Sequence, residues 1–385
     1  MKKRKIKILR IIARLNIGGP AIHTILLTQK LNDSRYTSLL VKGQEDQYEG
    51  DMNYLADEKQ IDPIVISELG RAISWKDDLK AFWKTYKLIQ AEKPDIVHTH
   101  TAKAGAIGRI AAKAAGVPVI IHTFHGHVFH SYFSKWQTKV FIWIERFLAS
   151  FTDRIITVSR KQRREILEYG IGNPDKVITV PLGLDLEKVV NGKSYTGAFR
   201  KQFKIPEECP TVGIVARLVP IKGHTYFLSA ARKVLDEVPQ ARFLVVGDGE
   251  ERDALIKYTS ELGIDDRVIF CGFQRLLGDI YRDLDIVVLS SLNEGLPVAL
   301  IEAMTAGRPI VTTNVGGVSD LVCKNMAAEV VPPKDSAAMG DAIINVLKNL
   351  DRYKEKARQC CRHTFERYNI DRLVRDIDSL YREVT

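Results

Sequence analysis

The chain alternates, twice over, between short β-branched apolar runs and longer helical stretches, and this alternation restricts it to one class of fold. Strand-length runs recur at KIKILRIIA, TSLLV, DIVHTH, VPVIIHTF, DRIITVS and KVITVPLG, with helical patterns such as SWKDDLKAFWKTYKLIQ and AGAIGRIAAKAAG between them. Runs without polar alternation suit strands buried on both faces, and helices between them imply βαβ units around a parallel sheet. Residues 184–210, LDLEKVVNGKSYTGAFRKQFKIPEECP, are polar, broken and free of clear periodicity, and read as a connector. The alternation then restarts with TVGIVARL, ARFLVVGDG, RVIFCGF, DIVVLSS and RPIVTTNV. The expected architecture is α/β, two doubly wound Rossmann-like domains facing across a cleft, residues 1–183 and 184–385. A length of 385 residues suits two domains of ordinary size.

Charge and cysteine content narrow the class of partner and compartment. The formal net charge of +10 favours anionic partners such as nucleotides or phospholipid surfaces, although it equally serves solubility. The basic residues do not concentrate into an aromatic-interleaved groove, so nucleic acid is not expected as a partner. Five cysteines, with no CxxC pair, make neither a disulfide framework nor a zinc site and fit a reducing cytoplasm. MKKRKIKILRIIARL superficially resembles a signal peptide, but Arg10 and Arg14 interrupt its apolar run and no small-residue cleavage site follows, so it reads as a first strand. VFIWIERFLASF (140–151) carries Glu145 and Arg146 and is too short to span a bilayer.

Doubly wound sheets bind ligands at the carboxyl ends of their strands, so the loops after the strands outline the expected site. They include NIGGPAIHT (16–24), HTHTAKAG (98–105) and HTFHGHVF (122–129), then ARLVPIKGH (216–224), GDGEER (247–252), CGF (271–273), SLNEGLP (291–297) and NVGGVSD (314–320). Arg217 and Lys222, on one loop, pair a forked donor with a point charge suited to a diphosphate. Pro297 suits a first helical turn, leaving Gly295 and Leu296 to present N–H groups to an anion. Glu302, inside that helix, has the position from which an acid grips ribose hydroxyls, and Glu294 would sit deeper, toward whatever the diphosphate carries. Gly18-Gly19-Pro20 resembles a shortened dinucleotide fingerprint without its full spacing. Singly, each has a bland reading: a solvated arginine, a surface helical glutamate, a turn. Reading the two acids as the general acid and nucleophile of a glycoside hydrolase leaves the basic loop and the glycine-rich turns unexplained.

Together these residues resemble a known family. Glu294 and Glu302 form E-x7-E within NEGLPVALIEAMTAGRPIV, which looks like the signature of retaining GT-B glycosyltransferases of family 4. GIVARLVPIKGH resembles that family's R-x4-K diphosphate loop, and LVVGDGEER and VIFCGF fall at matching segments. ITVSR and VPLGLD resemble its interdomain edge, and in HTFHGHVF His125 matches the family's active-site histidine. After Gly18-Gly19 the family often has an acidic or aromatic residue, whereas Pro20-Ala21-Ile22 stands here, which bears on the acceptor.

The resemblance implies a hexosyl- or glycosyltransferase that takes a nucleotide-diphosphate sugar, a UDP-sugar by family habit, in the second domain and the acceptor in the first. Catalytic roles would fall to His125, Glu294, Arg217 and Lys222. Donor contacts would come from Gly18, Gly19, Arg217, Lys222, Gly249, Phe273, Glu294, Gly295, Leu296, Val298 and Glu302. Attack on the front face, with the leaving phosphate taking the acceptor proton, would retain the anomeric configuration. No metal site is expected, and Mg2+ is optional if the cations suffice; Asp283-Leu-Asp285 matches a metal motif by letters alone and lies before a strand, at the wrong end. Relatives send the last helix, IDRLVRDIDSLYREV (370–384), back onto the first domain. Many glycosylate lipid-linked acceptors at the cytoplasmic membrane face, in polysaccharide or glycolipid synthesis. A saccharide or lipid-linked acceptor is therefore expected. For SKWQTKVFIWIERFLASF, with Trp136, Val140, Ile144, Phe147 and Phe151 at helical spacing, the readings are contact with anionic membrane or packing on the sheet with a basic outer face. The competing functions are a nucleotide-sugar 2-epimerase on the same architecture and a non-catalytic nucleotide-sugar sensor.

Overall fold

A computed structural model describes residues 4–45, 50–70, 74–126, 135–190, 197–275, 277–322 and 327–385. It divides into two compact units, one running through Leu184 and taking in Ile370–Thr385, the other spanning Asp185–Asn369.

The first unit is built on seven parallel strands: β1 (Ile6–Ile12), β2 (Tyr36–Lys42), β3 (Ile64–Val65), β4 (Ile96–His100), β5 (Val119–Phe124), β6 (Arg154–Thr157) and β7 (Val177–Thr179), in the order β3-β2-β1-β4-β5-β6-β7. β4 and β5 are buried along their whole length, as strands covered on both faces must be. One face carries Leu9, Ile11, Val97 and Ile120 against the helices Trp75–Glu92 and Ala102–Ala114. The other carries Ile8, Ile96, Ile121 and Ile156 against Leu26 and Leu27 of the helix Gly19–Lys30 and against the C-terminal helix. That helix, Ile370–Val384, buries Ile370, Leu373, Ile377, Leu380 and Tyr381, the spacing of one helical face. Gly183 admits it: a Cβ there would overlap the Leu373 side chain. Arg372 donates to the Pro181 carbonyl (3.0 Å) and Tyr36 Oη donates to Asp378 (2.7 Å).

The second unit holds six parallel strands, β8 (Thr211–Val215), β9 (Arg242–Val246), β10 (Val268–Gly272), β11 (Ile286–Leu289), β12 (Ile310–Thr313) and β13 (Ala328–Val331), in the order β10-β9-β8-β11-β12-β13. Its core joins Val212, Ile214, Phe243, Val245, Ile286 and Val288 to Phe227 and Leu228 of the helix His224–Glu237 and to Ile343 and Val346 of the helix Ser336–Lys348.

Two features depart from the expected plan. Ile64–Val65 pairs as a short edge strand where no strand was expected. The 184–210 connector contains the short helices Glu187–Val190 and Ala198–Gln202. The second is held from outside its own sequence: the Asp283 carboxylate accepts from the N–H groups of Gly197 (2.6 Å), Phe199 (2.8 Å) and Arg200 (3.0 Å). These are orphan donors of a helix start, satisfied by a distant side chain. Asp285 is likewise committed, pairing with Arg200 (2.9 Å) and Lys354 (2.6 Å) and accepting from the Thr211 N–H.

Candidate functional site

In the second unit, three loops at the carboxyl edge of the sheet are bound to one another through backbone. Leu292 N donates to Ile221 O (2.8 Å), and Ser290 Oγ donates to Lys222 O (2.9 Å), joining the loop after β11 to the loop after β8. Gly223, in the left-handed region at φ +64°, is required because a Cβ would stand 2.5 Å from Ser290 O. Gly316 allows the turn after β12 to press against the Glu294 carbonyl, where any Cβ would overlap it. Gly317 N donates to Gly295 O (3.0 Å). A trans peptide then turns the Leu296 N–H the opposite way, clear of that turn. The helix begins at Val298, with Pro297 as its cap rather than its first residue.

On this frame Lys222 Nζ lies 2.6 Å from Glu294 Oε1, and Ser291 Oγ donates to the same oxygen at 2.6 Å. Both members of the pair are largely buried, so the interaction is screened less than a surface pair. Arg217, on the same loop as Lys222, makes no ion pair among the described residues and is half-buried. Gly249 packs its backbone on that loop: Leu218 N donates to Asp248 O (2.9 Å) and a Cβ at Gly249 would stand 2.5 Å from Leu218 O. Phe273, after β10, is exposed. Glu302 faces inward, where Tyr281 Oη donates to Oε2 at 2.9 Å. Burial pushes the Glu302 carboxyl up to about 7, the tyrosine hydrogen bond offsetting part of the rise. Neither Tyr281 nor Ser291 is marked by any local pattern.

The first unit brings together a group of histidines of which only His125 stood out in the sequence. His100 closes β4, His125 follows β5, and His23 lies on the helix that Gly18 caps and Gly19 begins. His100 Nδ1 is 2.9 Å from His125 Nε2, and the His23 and His125 rings meet edge to face at 4.8 Å. Behind them His98 joins Tyr381 Oη and Thr123 Oγ1, both at 2.7 Å, and Tyr381 Oη accepts from buried Arg10. Loss of hydration pulls the His125 imidazole down to about 3 and puts His23, His98, His100 and His122 well below 6.5. The neutral rings then act as hydrogen-bonding groups or ligands, not as charges. The HTH run in β4 was the available signal, since residues two apart in a strand share a face.

The helix Lys135–Ser150 rests on a buried ion pair, Arg109 to both oxygens of Glu145 (3.0 and 2.8 Å). Its outer face is both aromatic and basic: Trp136 is 73% exposed, Trp143 67% and Phe147 55%, and Lys139 and Arg146 are exposed beside them. Beyond the adjacent helix Ala102–Ala114, the helix Trp75–Glu92 exposes Trp75, Leu79 and Trp83. No helix among the described residues is long and apolar enough to cross a membrane.

Residues 17–188 match the family model described as Glycosyltransferase Family 4, and residues 196–361 match that described as Glycosyl transferases group 1. The chain is 32% identical over 333 residues to the UDP-Gal:alpha-D-GlcNAc-diphosphoundecaprenol alpha-1,3-galactosyltransferase of Escherichia coli, covering 86% of this chain and 85% of that one. It is 26% identical to the N-acetyl-alpha-D-glucosaminyl L-malate synthase of Bacillus anthracis, over 80% of this chain and 79% of the relative. Among solved structures it resembles Anabaena HepE in complex with UDP-glucose, with a TM-score of 0.83 at 20% identity, covering 98% of this chain and all of that one.

Proposed function

The chain belongs to the family 4 glycosyltransferases, with the GT-B fold, and from that premise we propose that it transfers a hexosyl group, with retention, from a UDP-sugar to a lipid-linked saccharide acceptor. The observation that carries this reading is the Lys222–Glu294 pair at the carboxyl edge of the second sheet, with Arg217 on the lysine's loop and the Leu296 N–H two residues beyond the acid. A lysine ammonium has three donors and can hold Glu294 and a phosphate oxygen at once. Lys222 and Arg217 then stabilise charge growing on the leaving β-phosphate while Glu294 orients the hydroxyls of the sugar beside it. Preorganised charges of this kind act on the transition state without reorganising. Glu302 receives the ribose hydroxyls, and His125 contributes a neutral imidazole on the acceptor side.

Support for the donor comes from the E. coli relative, whose name specifies UDP-Gal, and from HepE, solved with UDP-glucose. Support for the acceptor comes from the same E. coli relative, which acts on a GlcNAc-diphosphoundecaprenol. The exposed aromatics of the helix Lys135–Ser150 suit an interfacial position beside anionic lipid, at the inner face of the cytoplasmic membrane, where such an acceptor resides.

The test is incubation of the purified chain with a set of UDP-hexoses and a polyprenyl-diphosphate N-acetylhexosamine, with the product's anomeric configuration read by NMR. A transferred sugar with inverted configuration overturns the mechanism. A changed nucleotide sugar formed without acceptor identifies an epimerase, and binding without any turnover identifies a sensor.

A further inference from the structure

We propose that His23, His100 and His125 form a binding site for a transition-metal ion of the imidazole-preferring class, Zn2+, Co2+ or Ni2+. One nitrogen from each ring lies within 4.8 Å of the other two, and among the described residues this is the group with ligand atoms so gathered. Bound Zn2+ holds imidazole nitrogens at about 2.0–2.1 Å, which places tetrahedral ligands roughly 3.3 Å apart, so shifts of no more than about 1 Å bring the three rings onto one ion.

The second observation is His23. It is 1% exposed, and neither ring nitrogen has a hydrogen-bond partner among the described residues, although it lies against His100 and His125. Among the described residues Nε2 of His100 and Nδ1 of His125 also lack partners. Buried polar nitrogens are normally satisfied, and among the described residues four on these three rings are not, which leaves the rings with lone pairs to offer an ion. A hydrogen-bonded network does not explain them, because the His98 branch of the same group is fully bonded through Tyr381 and Thr123.

The donor set also decides which ion. Among the described residues no carboxylate joins the three rings, and the buried Arg10 guanidinium stands behind His98. Mg2+ and Ca2+ require oxygen ligands and find none here, whereas imidazole suits Zn2+, Co2+ and Ni2+. Three protein ligands leave the fourth tetrahedral position to water. Resting on the function proposed above, one consequence follows: metal occupancy removes His125 from the acceptor side, so Zn2+ inhibits transfer.

Direct binding tests the site independently of activity. The full chain, free of any histidine tag and stripped with chelator, is titrated with Co2+ and followed by visible d–d absorption. One equivalent is expected to saturate the signal, Zn2+ to displace it, and Mg2+ to leave it unchanged. His23→Gln is expected to weaken Co2+ binding by about tenfold or more, while His224→Asn, a buried histidine of the other unit, retains it. Absence of a saturable one-to-one signal in the wild-type chain overturns the site, as does an unaltered signal in folded His23→Gln. If melting shows His23→Gln to be unfolded, His100→Gln takes its place on the same criterion. Bound Co2+ without inhibition leaves the site standing and sinks the assigned role of His125.

Discussion

Lys222 and Glu294, 72 residues apart, share an ion pair of 2.6 Å, and Ser291 completes the contact on the same carboxylate oxygen. The pair ties the loop after β8 to the acid that follows β11, so each mutation at one residue reads out on the other. Lys222→Ala is expected to weaken UDP binding by about 1.5–3 kcal/mol, the range for a charge-assisted hydrogen bond. Glu294→Gln keeps the shape, removes the charge, and is expected to lower kcat far more than it changes donor KM. Calorimetry with UDP and steady-state kinetics check the two. Unchanged UDP affinity in Lys222→Ala excludes the diphosphate role.

Glu302 is expected to make donor binding depend on pH. Its carboxyl is raised from 4.5 to about 7, so in the free protein it is largely protonated below that value. The carboxylate accepts hydrogen bonds from ribose hydroxyls more strongly than the protonated carboxyl does. Donor KM is therefore expected to rise as pH falls through about 7, by up to about tenfold per pH unit. Glu302→Gln should show a flat profile over the same range. Stability runs the other way: between pH 4.5 and 7 the folded state holds a proton that the unfolded chain has lost, so this group's contribution falls as pH rises. Parallel pH profiles for wild type and Glu302→Gln would remove Glu302 from ribose binding.

Asp283 is expected to matter for stability and not for metal. Replacement by alanine strands three N–H donors at the start of the helix Ala198–Gln202. A loss of about 1–3 kcal/mol is expected, measured by urea unfolding. Chelator should leave donor affinity of the wild type unchanged. A chelator-sensitive donor affinity that is lost in Asp283→Ala would instead assign this acid to a metal.

The aromatic face of the helix Lys135–Ser150 is expected to carry membrane contact. Burying one such side chain contributes about 1.5–3 kcal/mol, so Trp136→Ser with Trp143→Ser should reduce binding to anionic vesicles by at least about tenfold. Both residues project outward, so the melting temperature should hold. Co-sedimentation decides the matter, and undiminished binding by the double variant assigns the face to something other than lipid.

Much of the fold was legible because local forces write it locally. Apolar runs at DIVHTH and VPVIIHTF, broken by glycine and proline, declare strands buried on both faces, and E-x7-E with R-x4-K marks the second unit's loops by spacing within short segments. The edge strand Ile64–Val65 escaped notice because two residues carry no period. The connector's second helix did so because its stabilising acid, Asp283, lies more than 80 residues away. Only tertiary structure decided the rest. It gathered His23, His100 and His125 from a helix and two strand ends, set Tyr281 against Glu302, turned Trp136 and Trp143 outward, and set Glu145 inward on Arg109. Each of these is a relation between residues distant in the chain, and the free energy that fixes it, desolvation balanced by a specific partner, arises only once the partner has been brought into place.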